Sequence, residues 1–188
     1  MNTHNTCIKE YNGKFYLYYM GTTYDFEPPA KASDINEDMA SDVWKKKRIG
    51  LAIADKIDGE YIRKDEPILL PNPYPAWDST ITTNPTVVIK DNGETVMAYK
   101  SSRCLGNICR EPNELKIGLT TAPNPEGPFV RKYDYPIFQA NDKKMSIEDP
   151  FIWFDEKKNK YCLLCKDCEG NITGEFGDMV YAESEDLL

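Results

Sequence analysis

Arg48-Ile49-Gly50-Leu51-Ala52-Ile53-Ala54, followed by Asp58-Gly59-Glu60-Tyr61 and Arg63-Lys64, returns later in the chain as Lys116-Ile117-Gly118-Leu119-Thr120-Thr121-Ala122, Glu126-Gly127-Pro128-Phe129 and Arg131-Lys132. The two copies lie 68 positions apart, as Gly50 and Gly118 show. Both run into matching ends, Glu66-Pro67-Ile68-Leu69 and Tyr135-Pro136-Ile137-Phe138, and a partial third copy begins at Met179-Val180-Tyr181-Ala182. A repeat of this length has to be read before anything else, because it decides the fold.

Upstream of each copy stands a hairpin. Asn12-Gly13 precedes Lys14 to Tyr19, Asn92-Gly93 precedes Glu94 to Tyr99, and Lys158-Asn159 precedes Lys160 to Cys165. Asn-Gly between strand-like runs is a strong hairpin signal, since a type I′ turn needs positive φ at both central residues. The runs are short, rich in β-branched and aromatic residues and bounded by Asn, Gly, Asp and Pro, as in Thr86-Val87-Val88-Ile89 and Phe151-Ile152-Trp153-Phe154, which is how strands read. The best helix candidate is Ile35 to Trp44, inside a polar insertion. Four antiparallel strands recurring every roughly 65 to 80 residues predict an all-β β-propeller. The blades run 1–69, 70–138 and an incomplete 139–188, about three blades of an expected five.

Composition narrows the function. The 188 residues carry 23 Lys plus Arg against 31 Asp plus Glu, a formal charge of −8, which argues against nucleic acid as a partner. No stretch approaches the roughly 20 apolar residues of a membrane-spanning helix, so no membrane partner is expected. Six cysteines are too few for a disulfide scaffold at this length; they read as mostly reduced thiols, with Cys104 and Cys109 either paired or free. Cys162, Cys165 and Cys168 have metal-like spacing, but strand residues three apart point to opposite faces, so no metal is expected there. The Lys45 to Arg48 run reads as a solvated loop edge.

Loop lengths locate the working face. With strands A to D in each repeat, the A–B and C–D turns are short, whereas the B–C segments (21–47 and 101–115) and D–A segments (70–81 and 139–146) are long. In an up-and-down meander all the long segments share one face, which also receives the first residues of every A strand and the last residues of every B strand, and loops on a rigid scaffold are where sites are built. Those residues are polar in all three copies. The A strands open with His4-Asn5, Thr83-Asn84-Pro85 and Glu148-Asp149-Pro150, and the B strands end in Met20-Gly21-Thr22, Lys100-Ser101-Ser102 and Lys166-Asp167. Asn-Pro and Asp-Pro also start strands on their own account, but polarity recurring three times at one position favours a pocket for a polyol. Candidate ligand contacts are therefore His4, Asn5, Asn84, Lys100, Lys166 and Asp167. Trp77 and Tyr24, in long loops, are candidate stacking surfaces for sugar rings.

Inner strands opening HNT, TTNP and IEDPFIW, with LYYMGT, RIGLAIAD, DGEYIRKDEPIL and EGPF between them, resemble the five-bladed propeller glycoside hydrolases of families 43 and 117 and their relatives of families 32 and 68. The resemblance spans nearly the whole chain. It implies hydrolysis of a glycosidic bond in an oligo- or polysaccharide, through an oxocarbenium-like transition state flanked by carboxylates. The segment from Ile147 to Trp153 resembles the inner-strand Asp-Pro motif of these enzymes, which gives Asp149 the role of stabilising the transition state or tuning the acid. Glu148 and Glu175 are candidate acids. In relatives of family 43 a histidine near the axis helps hold calcium, which would fall to His4; no other cofactor is implied. Five such blades need over roughly 300 residues, and the base Asp of these enzymes lies on a first blade that would precede Met1. The expectation is thus an incomplete and inactive part of a hydrolase, with no localisation to be read from it. The alternative is a noncatalytic carbohydrate-binding or assembly module that forms homo-oligomers through open blade edges.

Overall fold

The short apolar runs form eleven strands in a computed structural model that describes residues 2–27, 29–103, 115–138 and 146–186. Cys104 and Cys109, and most of the 101–115 and 139–146 loops, lie outside the described residues. Strands β1 (Asn2–Tyr11), β2 (Lys14–Thr22), β3 (Arg48–Ala54) and β4 (Ile62–Arg63) form the first sheet. Strands β5 (Ile81–Ile89), β6 (Thr95–Ser102), β7 (Lys116–Ala122) and β8 (Val130–Arg131) form the second. Strands β9 (Ile147–Asp155), β10 (Lys160–Asp167) and β11 (Met179–Ser184) form the third. Every pairing is antiparallel between neighbours in sequence, so each sheet is a simple meander.

The hairpins stand where the sequence places them, with one difference in turn type. Asn12 and Gly13 both have positive φ, 50° and 73°, as a type I′ turn requires. At the second hairpin only Gly93 does (88°). Gly93 N–H donates to the Lys90 carbonyl and Lys90 N–H to the Glu94 carbonyl, each at 2.8 Å, so the loop is one residue longer and closes on a left-handed glycine. The predicted helix is α1 (Glu37–Lys45), capped by Asn36 Oδ1, which accepts from Met39 N–H at 2.9 Å.

The sheets stack face on face in chain order. Tyr18, Leu51, Val87, Met97 and Tyr99 fill the layer between the first and second sheets; Val96, Ala98, Leu119, Ile152 and Leu163 fill that between the second and third. Strand β6 sends alternate residues into both layers and is buried along its whole length, as a strand covered on two faces must be. Strand β9, covered on one face, alternates buried Ile147 and Ile152 with exposed Phe151. Tyr18 clamps the first interface, its hydroxyl donating to the Pro125 carbonyl at 2.7 Å and its ring meeting Phe129 edge-on.

Each of the first two sheets lays a tyrosine across a glycine on the next strand. Tyr19 pairs with Gly50 and Tyr99 with Gly118, and a Cβ added at Gly118 would stand 2.6 Å from Tyr99 Cζ. In the third sheet the equivalent pair is Cys165 and Val180, so no ring needs the space. Gly118→Ala should lower stability by about 1–3 kcal/mol through overpacking, read as an earlier urea midpoint. At an uncrowded strand glycine alanine would instead stabilise, so the sign of the shift tests the contact.

Candidate active site

The inner strands β1, β5 and β9 each carry a break in register at the same place: between His4 and Cys7, between Thr83 and Thr86, and opposite Leu164 and Lys166. At each break one residue adopts positive φ, Asn5 at 51°, Asn84 at 48° and Asp149 at 52°. These residues do not start the strands, as the sequence reading had them; they are bulges inside them. Asn and Asp tolerate the left-handed region better than other side chains. Pro85 and Pro150 follow at a point where the ladder is interrupted and no N–H is missed.

The three bulges face one polar groove of about 420 Å³, walled by residues 5–9 of β1, 84–86 of β5 and 149–151 of β9. Asn84 Nδ2 donates to Asp149 Oδ1, and Thr83 Oγ1 donates to Asn84 Oδ1 at 2.8 Å. His4 Nδ1 bonds Asn5 Oδ1 on the exposed end of β1. The inner strands are also tied directly, Ile152 N–H donating to Thr86 Oγ1 at 3.2 Å.

Glu148 lies one residue before the third bulge, opposite Lys166 on β10. It accepts from Lys100 Nζ at 3.0 Å and from Lys166 Nζ at 3.3 Å. Burial pushes its carboxyl up, but Lys100, Lys166 and the Cys168 thiol outweigh that and hold it below the ordinary carboxylate range. Lys100 is itself only 6% exposed. The structure thus brings His4, Asn5, Asn84, Lys100, Glu148, Asp149 and Lys166 to one end of the inner strands.

Of the predicted contacts Asn5, Asn84 and Asp149 line the groove; His4, Lys100, Glu148 and Lys166 stand outside its wall, and Asp167 and Trp77 serve other parts of the fold. Asp167 is fully buried and organises the following loop, accepting N–H groups of Glu169, Gly170, Ile172 and Thr173 at 2.8–3.3 Å. Trp77 stacks on Tyr99 with ring centroids 6.0 Å apart and packs against the core. Beside it, fully buried Asp78 accepts from Tyr99 Oη at 2.9 Å and Arg131 Nε at 2.5 Å. Tyr24 pairs with Phe26, and Glu175 is exposed in the loop between β10 and β11. Among the described residues no cluster of His, Cys, Asp and Glu suits a metal ion. A separate, mainly apolar cleft of about 200 Å³ between the second and third sheets is lined by Tyr133, Phe138 and Tyr161 among others, with Glu183 and Ser184 at its wall.

The basic run is not a solvated edge. Lys46 pairs with Asp25 and Asp42. Arg48 donates to the carbonyls of Lys45, Lys47 and Thr80 at 2.7–3.1 Å. Lys47 is half-buried, its Nζ 3.8 Å above the Trp44 ring, and burial together with Lys100 drops its ammonium pKa to about 8 although Glu148 opposes the fall. Sequence reasoning missed Lys47 because its neighbours are charged and nothing in the run marks one lysine as buried. In a lysine-selective NMR titration, Lys47 should titrate near 8. Lys100→Met should move that midpoint up by removing a like charge, and Glu148→Gln should move it down.

The stacked meanders around a shared polar groove define a propeller-like all-β scaffold, and solved structures agree. The chain is similar to a family 117 glycoside hydrolase from the marine bacterium Zobellia galactanivorans, with TM-score 0.70 and 17% identity over 98% of this chain and 53% of that one. A thermostable family-43 glycoside hydrolase matches with TM-score 0.65 and 18% identity over 98% and 49%. A β-1,2-mannobiose phosphorylase from Listeria innocua matches with TM-score 0.64 and 14% identity over 97% and 55%. The chain spans about half the length of these proteins, and at such identities the likeness is one of fold. No family profile matches the chain and no curated protein matches it in sequence.

Proposed function

We propose that the chain carries one wall of a glycosidase active site, built on three blades (1–69, 70–138 and 139–188) of a propeller that numbers five when whole. The observation that carries this is the threefold bulge: Asn5, Asn84 and Asp149, in one backbone conformation, line one groove. Such a groove suits a polyol, whose hydroxyls need donors and acceptors on several sides. The enzymes that share the fold act on glycosidic bonds, which supports a carbohydrate substrate.

Cleavage through an oxocarbenium-like transition state needs negative charge near the anomeric carbon and a proton for the leaving oxygen. Asp149 supplies the first in this reading, with Asn84 holding its carboxylate in place. Glu148, kept ionised by two lysines, suits an anionic role better than proton donation, because a general acid needs a raised pKa. Turnover of aryl glycosides and short oligosaccharides by the complete five-bladed protein, measured beside Asp149→Asn in that protein, tests the assignment. Asn fits φ of 52°, so the fold should survive while kcat/KM falls by about 100-fold or more. Equal rates for the two proteins would remove Asp149 from the reaction.

A second reading is a noncatalytic carbohydrate-binding or assembly module. It is favoured by the outer strand β11, which leaves Met179 and Tyr181 exposed beside Phe151 and Trp153 and, among the described residues, pairs only with β10. An open strand recruits another. Light scattering with carbohydrate-binding calorimetry tests it: a mass near 21.5 kDa excludes edge pairing, and a discrete multiple of it that binds sugar supports the module.

A further inference from the structure

Lys47 occupies a position that the repeat elsewhere fills with an apolar residue. In the first sheet Thr82 N–H donates to the Lys47 carbonyl at 3.3 Å; in the second, Ile147 N–H donates to the Leu115 carbonyl at 2.9 Å. Thr82 and Ile147 each lie two residues before a bulge, so Lys47 and Leu115 are equivalent, 68 positions apart. Leu115 is buried. Placing an ammonium where the scaffold accepts leucine costs desolvation, and no carboxylate among the described residues pairs with it directly. Its neighbour is the Trp44 ring, whose Nε1 is buried with no hydrogen-bond partner among the described residues. Two residues beyond Lys100 on the same face of β6, the buried Ser102 hydroxyl also has none.

The charges around this spot are unevenly paired. Glu148 is shared between Lys100 and Lys166 at 3.0 and 3.3 Å, and Lys47 is left, among the described residues, without a carboxylate of its own in a chain whose formal charge is −8. Arg48, fixed on the Lys47 carbonyl, adds a second cation there.

We propose that Lys47, beside the Lys100–Glu148–Lys166 ion pairs, is a receiving site for an oxyanion: the carboxylate or sulfate substituent of a bound sugar, or a free inorganic anion. Sitting against Lys47, such a group would neutralise its ammonium and offer an acceptor to Trp44 Nε1. Lys100 and Lys166 stay anchored on Glu148, whereas Lys47 is free to turn to a ligand. The sugar-borne case rests on the carbohydrate reading above; oxyanion binding itself does not.

Calorimetry on the 188-residue chain with methyl β-glucuronide, methyl β-glucoside, sodium sulfate and sodium phosphate separates these. Three proteins are compared: the unmodified chain, Lys47→Leu and Lys47→Arg. Leucine is the residue of the equivalent position, so Lys47→Leu should fold with an unchanged or raised Tm. The expected result is glucuronide bound about tenfold more tightly than glucoside, a preference that weakens with added salt, disappears in Lys47→Leu and is largely kept in Lys47→Arg. Free sulfate or phosphate bound by the unmodified chain and lost in Lys47→Leu, with neither glycoside bound, would keep the oxyanion site and defeat the carbohydrate reading. Glucoside and glucuronide bound alike, with Lys47→Leu indifferent, would defeat the oxyanion site and leave the carbohydrate reading standing. No binding of any of the four would overturn the proposal.

Discussion

A residue held at positive φ inside a strand is a constraint that few side chains accept, and the structure imposes it three times. Left-handed backbone costs an ordinary residue roughly 1–2 kcal/mol; Asn5, Asn84 and Asp149 meet it with short polar side chains. The kink breaks the ladder, frees the proline that follows Asn84 and Asp149 from any duty to donate, and turns the polar group toward the groove. Fold and site are therefore one device: the residue types that the backbone tolerates there are also those that bind hydroxyl groups or carry charge. The groove is made from the irregularity of otherwise regular strands.

Around that device the scaffold is held by face packing. The middle sheet is covered on both sides, and Tyr18 and Tyr99 contribute large buried rings whose hydroxyls are satisfied by the Pro125 carbonyl and by Asp78. Burial and, for Tyr99, the Asp78 carboxylate push both phenols well above their ordinary range, so they act as neutral donors. The Tyr99, Asp78 and Arg131 cluster joins the loop before β5 to β6 and β8, which fixes the approach of β5 and with it the position of Asn84.

Much of this could be read in advance. The 68-residue repeat, the three hairpins and the gathering of polar strand ends were legible, because periodicity and turn chemistry are local; the helix over Glu37–Lys45 was marked only as the best candidate segment, since its apolar spacing is weak. Asn5, Asn84 and Asp149 could be selected as polar, but not as bulges, since the sequence shows only that Asn and Asp can sit left-handed. Asp167 and Trp77 looked like ligand contacts for the same local reasons, yet one is consumed by four loop N–H groups and the other by Tyr99. Lys47 went unnoticed in a basic run. What separates it from Lys45 and Lys46 is in part local, the Trp44 ring three residues back, and in part tertiary, its burial close to the Lys100–Glu148 pair, which neighbours in sequence do not encode.

The outermost strands β4 and β8 are two residues long apiece, even though Ile62 and Val130 in them are exposed. A stranger strand arriving at that rim finds a ladder that ends almost as soon as it starts, and can gain only a bond or two before running out of partners. Sheets that taper in this way suppress amyloid-like growth at their outer border by truncation, with no need for guarding charges or an inserted proline.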